Sequence, residues 1–261
     1  MRWKTTKLAV VIGIATSLAA GSWAADDPKV NVDTIRDDAI SKLAAWRPKS
    51  AETTLNKDLT FDKTQPWLTA QGLFMATWGI GQDDEILAQG LAILDKQAKR
   101  DPSDPVSEYY RGEVLYWTKE TAKAKVAWKN ANDRAAARVA KDPKDGCALF
   151  YLGASFNRMV QPEEARQALK KAQKTNFDHP MIDYQIGFSY FMEKNWKAAK
   201  ESFDAVFDLD PRYAYLFFYR ALAWESLGRK DNYLIDLDQF IRLAPNSPEA
   251  KTAQALLAAR K

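Results

Sequence analysis

Four kinds of position recur every 34 residues in the second half of the chain. Gly153, Gly187 and Ala221 form one series, and Phe156, Tyr190 and Trp224 form a second. Ala165 and Ala199 begin a third, which meets Tyr233 in its last copy, and Leu169, Phe203 and Leu237 make the fourth. Pro211 and Pro245 keep the same 34-residue spacing. A fixed interval of this length describes one supersecondary unit repeated. Such a unit cannot bury its apolar face alone, so its copies must stack. The copy from 180 to 211 is the best formed. It reads as two short helices joined by a tight turn, with Gly187 in the first and Ala199 in the second. Small side chains there let two backbones approach, while Tyr190 and Phe203 fill the space on either side. Pro211 closes the unit, because proline cannot continue a helix.

A 34-residue period with the order small, aromatic, small, large, proline resembles the tetratricopeptide repeat family. The resemblance covers roughly residues 105–245 and departs from the family pattern at Tyr233, a small position elsewhere, and at Phe177, where the closing proline is missing. It implies an all-α fold in which antiparallel helix pairs stack into a right-handed solenoid. The expected copies are 105–145, 146–179, 180–213 and 214–246. The first is longer, since Gly112 and Gly153 are 41 residues apart. Seven extra residues are about two helical turns, so a helix absorbs them without rotating its buried face. The stripe Ala124, Trp128, Ala131, Ala135 and Val139 places them in a lengthened second helix ending near Lys141.

Outside the repeats, residues 25–104 read as an N-terminal helical region. Apolar spacing predicts helices over about Asn31–Trp46, Pro66–Trp78 and Asp84–Lys99. Ala76 and Ala88 hint at a degenerate copy across 66–102. Asp-Pro pairs at 101, 104, 142 and 210 mark helix junctions, with the Asp expected to cap a helix and the Pro to open it. After Pro245, residues 247–261 form an expected capping helix, apolar at Ala250, Ala253, Leu256 and Leu257. A solenoid needs such a cap to cover its last apolar face.

The extreme N-terminus has a different character. Arg2, Lys4 and Lys7 precede a 13-residue apolar run, Leu8–Ala20, followed by Gly21-Ser22-Trp23-Ala24. This is the pattern of a cleaved bacterial signal peptide over 1–24 and predicts a periplasmic protein with no stable membrane anchor. A spanning helix needs about 20 apolar residues. The leader holds three of the 38 basic residues and no acidic one, which leaves 35 basic against 34 acidic in the mature chain. A basic footprint for nucleic acid is therefore lacking. Cys147, the one cysteine, cannot form an internal disulfide and reads as a small helix residue.

Catalytic patterns are absent. The one histidine, His179, cannot build a multi-histidine metal site. The Gly-x-Ser runs at 153 and 187 lack the second glycine of a nucleophile elbow. Gly79-Ile80-Gly81 has Asp84 where a dinucleotide loop needs glycine. Neither enzymatic activity nor a cofactor or metal is expected. In the tetratricopeptide family the first helix of each pair lines a concave face that holds a peptide or a partner helix. Carried onto this chain, the resemblance implies partner-binding positions at Tyr109, Tyr116, Phe150, Asn157, Arg158, Tyr184, Phe188, Phe191, Tyr215 and Phe218. Glu113 falls on the same face. The aromatic character favours apolar side chains of a protein or peptide over a carboxylate clamp. Packing of the same aromatics into the core, self-association into a homo-oligomer, and service as an accessory subunit of an envelope complex are the alternatives.

Overall fold

The computed structural model describes residues 65–259 apart from 81, 176, 178 and 180, together with Ala39 and Lys42. The expected leader, the loop before residue 65, Gly81 and Pro180 lie outside the described residues, as does most of the expected helix over 31–46. Ala39 and Lys42 within it are helical, and Ala39 is fully buried in the main core.

The described residues hold helices and no strand. In chain order these are α1 (Gln65–Gly79), α2 (Asp84–Arg100), α3 (Pro105–Trp117), α4 (Thr121–Lys141), α5 (Gly146–Arg158), α6 (Pro162–Ala172), α7 (Met181–Met192), α8 (Trp196–Leu209), α9 (Ala214–Ser226), α10 (Lys230–Leu243) and α11 (Ala250–Ala258). They pack as consecutive pairs: α1 with α2, α3 with α4, α5 with α6, α7 with α8, and α9 with α10. Each second helix then packs on the first helix of the next pair. The first helices also touch one another in sequence, α1 to α3, α3 to α5, α5 to α7 and α7 to α9. They form a continuous inner layer, with α2, α4, α6, α8 and α10 outside it.

The spaced small residues sit at the helix crossings. A Cβ placed on Gly187 would lie 2.7 Å from the Phe203 ring, and one on Gly153 would lie 2.9 Å from the Ala165 carbonyl. The N-terminal pair crosses more tightly. A Cβ on Gly90 would lie 2.3 Å from the Ala76 nitrogen. The α1–α2 contact thus centres on Ala76 and Gly90, two residues beyond Ala88. The seven additional residues of the first repeat lie in α4, which runs 21 residues to Lys141 and buries Ala124, Trp128, Ala131 and Ala135.

The junctions differ from expectation in one respect. Of the four Asp-Pro pairs only Asp104-Pro105 opens a helix, with Asp104 accepting from the Val106 N–H. Asp101, Asp142 and Asp210 instead end α2, α4 and α8. The cause is the proline, which pushes the residue before it out of the helical region. Each of these Asp carboxylates then accepts the N–H two residues on, from Ser103, Lys144 and Arg212 at 2.8, 2.9 and 3.1 Å. That Asx turn makes the corner. After α2 and α4 the next helix is capped separately, by Asp104 and Asp145.

The turns inside the repeats share a feature with no sequence signal. Lys119, Val160, Lys194 and Gly228 all have positive φ, between 60° and 72°. They stand 41, 34 and 34 residues apart, in register with the repeat. At the far end α11 packs against α10 and buries Ala250 and Ala253, with Leu256 and Leu257 half-buried.

Candidate functional site

The inner layer encloses a cavity of about 130 Å³. Leu73 and Thr77 of α1 reach it, and α3 supplies Tyr109, Glu113 and Tyr116. Arg158 comes from α5, Tyr184, Gln185 and Phe188 from α7, and Tyr215 and Tyr219 from α9. Tyr213 and Glu249, just before α9 and α11, also line it, as do Tyr110, Trp117 and Met181. Every first helix and the entrance to the capping helix therefore contribute.

The repeat register explains why several of the predicted residues are buried. Tyr109, Phe150, Tyr184 and Phe218 occupy one repeat position, 41, 34 and 34 residues apart. All four are buried, at 1%, 0%, 7% and 7% exposure, because this face lies between neighbouring helices. Phe150 packs on Tyr151 and stacks on His179 with centroids 4.6 Å apart, and Phe218 packs on Phe240. Both are core side chains outside the cavity lining. Asn157 and Phe191 are also outside it. Phe191 is half-buried against Trp196 and Tyr219. Tyr109, Tyr116, Arg158, Tyr184, Phe188 and Tyr215 do line the cavity. Of the ten, Tyr116 alone is freely exposed, at 45%. His179 is itself buried, its Nδ1 accepting the Met181 N–H at 3.2 Å.

Two of the charged groups inside the layer are paired with each other. Arg158 and Glu113, one repeat apart, form a bidentate ion pair, with the Nε–Oε1 contact at 2.7 Å and a second bond from Nη2 to Oε2. Burial works against the charge on Arg158, but Glu113 together with Tyr109 and Tyr219 outweighs it, and its pKa lies well above the ordinary arginine value. The rings of Tyr116, Trp128 and Phe188 surround the same guanidinium at 5.9, 5.4 and 5.6 Å. Asn157 donates to the backbone carbonyl and to Oε1 of Gln185, both at 2.9 Å. Gln185 Nε2 in turn donates to the Tyr109 hydroxyl at 3.4 Å. Asn157 and Arg158 are thus both engaged internally and build no clamp for a carboxylate.

Glu249 has no counterpart among the expected site residues. It accepts the Tyr215 hydroxyl at 2.6 Å, which ties the start of α11 to α9 across the cavity wall. Burial raises its pKa, against the opposing effect of that hydrogen bond. Burial likewise lifts the hydroxyls of Tyr109, Tyr184, Tyr213, Tyr215 and Tyr219, which stay protonated. Tyr219 lies one helical turn beyond Tyr215 on the same face, a spacing visible in the sequence. Glu249 has no such signal, since it lies beyond the repeats. Among the described residues no cluster of three or more His, Cys, Asp or Glu side chains could hold a metal.

No protein-family model matches the chain. Among solved structures, a thermophilic TPR protein of Thermus thermophilus superposes with a TM-score of 0.53 over 74% of this chain and 98% of that one, at 17% identity. This chain has the tetratricopeptide-repeat fold. A tetratricopeptide repeat protein from Parabacteroides merdae covers 88% of both chains at 15% identity, with a TM-score of 0.45. YrrB, a TPR protein with an unusual peptide-binding site, matches 75% of this chain and 96% of its own at 21% identity, with a TM-score of 0.40. At these identities the likeness concerns the fold alone. What the fold carries here is read from its own inner layer.

Proposed function

We propose that the protein is a non-catalytic scaffold that holds part of a protein or peptide partner in the cavity of its inner helix layer. The observation that carries this reading is the cavity itself. All five first helices and the start of the capping helix converge on it, and tyrosine is the commonest residue of its walls, seven of sixteen. Tyr116 lines it while 45% exposed, so the cavity is reached from solvent on that side. Aromatic side chains in a partly desolvated pocket are the usual anchors of protein recognition. A pocket carrying one anchor fits this geometry better than a long open groove, because the protein's own side chains fill the rest of the inner face. We place the scaffold in the periplasm. Arg2, Lys4 and Lys7, the run Leu8–Ala20 and the small residues before Ala25 support export, and N-terminal sequencing of exported protein beginning at Ala25 or Asp26 checks it.

The test is affinity capture from envelope extract with the wild-type protein and Tyr116→Ala side by side. The ring is 45% exposed but also packs on Trp128 and over Arg158, so circular dichroism and melting temperature are measured on both proteins to confirm that the variant stays folded. A partner held by the wild type and released by Tyr116→Ala supports the reading. Identical capture by both proteins sinks it.

A further inference from the structure

The cavity carries three ionisable charges, Glu113, Arg158 and Glu249, so two carboxylates face one guanidinium. That guanidinium is already committed. It is doubly bonded to Glu113 and surrounded by three rings. Glu249 is held by a neutral donor, the Tyr215 hydroxyl, in a half-buried setting. One carboxylate is therefore left over from the ion pair, hydrogen-bonded to Tyr215 in a cavity that Tyr184 and Tyr219 also line. Ring faces of tyrosine attract cations, and more strongly where water is excluded.

We infer that the cavity receives a single basic side chain, a lysine or arginine of the partner, with its charge against Glu249 and its alkyl stem along the tyrosine walls. The inference rests on the reading that this cavity receives part of a partner. Size agrees with it. A space of about 130 Å³ accommodates the end of one long side chain. A third wall group agrees as well. Thr77 is 5% exposed and its Oγ1 makes no hydrogen bond, leaving a buried hydroxyl on the lining of the same cavity that a polar ligand group can satisfy.

An acidic anchor is the competing occupant. It would have to displace Glu113 from a bidentate pair and then sit beside Glu249, leaving like charges together at low dielectric. Both steps are unfavourable. An uncharged apolar anchor would leave Glu249 further desolvated and unpaired, which also costs free energy.

A random peptide library displayed on phage and selected on the full protein tests the inference. Selected peptides should share a lysine or arginine at one fixed position. Calorimetry on a selected peptide and its lysine-to-norleucine counterpart should show at least tenfold weaker binding for norleucine, about 1.4 kcal/mol. Glu249→Gln keeps an acceptor for Tyr215 and removes the charge, so it should weaken the basic peptide tenfold or more while leaving the norleucine peptide unchanged. If that variant does not fold, the norleucine comparison on the wild type still decides. Selected peptides without a shared basic residue, or equal binding of the norleucine peptide, overturn the inference and leave the scaffold reading standing. Failure to select any peptide overturns both.

Discussion

Val160 has φ 61° and a β-branched side chain that is 73% exposed. The left-handed region costs a non-glycine residue about 1–2 kcal/mol, and branching at Cβ makes it worse. Nothing is gained by the side chain in return, since it faces solvent. Its counterpart in the last copy, Gly228, meets the same turn without that strain. Val160→Asn should therefore raise stability by about 1 kcal/mol, read as a higher urea midpoint at unchanged slope. An unchanged or lower midpoint would remove strain as the explanation. The Arg158–Glu113 pair makes a second case at this scale. Glu113→Ala strands a guanidinium that is only 22% exposed and should destabilise by about 3 kcal/mol. The double change Glu113→Leu with Arg158→Met should recover most of that loss, because two apolar groups need no partners. A double variant as unstable as the single one would mean that the pair stabilises the fold beyond satisfying itself.

At the scale of the helix, the repeat is a rule about crossings. Gly187 meets the edge of the Phe203 ring, and there is no room for a side chain. Gly187→Leu should cost about 1–3 kcal/mol or more through overpacking, with the melting temperature as the readout. A melting temperature equal to wild type would mean that α7 and α8 can separate at little cost. Such crossings were legible in the sequence because close approach tolerates few residue types, and Gly153, Gly187 and Ala221 satisfy it at a constant interval. The extra turns of α4 were legible for a similar reason, since its alanine stripe runs on unbroken to Lys141. Two features were not. The left-handed turn residues are Lys, Val and Lys before the one glycine, none of them a marker of that conformation. The Asp-Pro junctions were visible as boundaries, but two roles of Asp, cap and Asx turn, look identical in a string of letters. The candidate site was legible to about the same degree. Tyr109, Phe150, Tyr184 and Phe218 are equivalent by repeat, yet Tyr109 and Tyr184 reach the cavity and the other two do not. Position along the stack decides that, and a repeat pattern erases position by construction.

For the whole molecule, the consequence is an inner face that is largely occupied by its own side chains. Gln185 joins Asn157 of the preceding repeat to Tyr109 two repeats away, and Glu249 ties the capping helix to α9. Side chains distant in sequence thus meet around one space. The proposed scaffold role concentrates recognition there rather than spreading it along the stack, and it makes the capping helix part of the site as well as the end of the core. Truncation of Tyr184, 7% exposed and packed on Phe203 and Tyr213, would then report on stability more than on binding. A probe is needed that senses the cavity without altering it. Met181 lines the cavity at 4% exposure and is one of five methionines in the chain. Labelling the methionine methyl groups and titrating a selected peptide into the protein by NMR gives the most direct test. Binding inside the inner layer predicts that the Met181 methyl resonance moves in proportion to occupancy. A peptide that binds and leaves Met181 in place would contradict the account, and would put recognition on another surface.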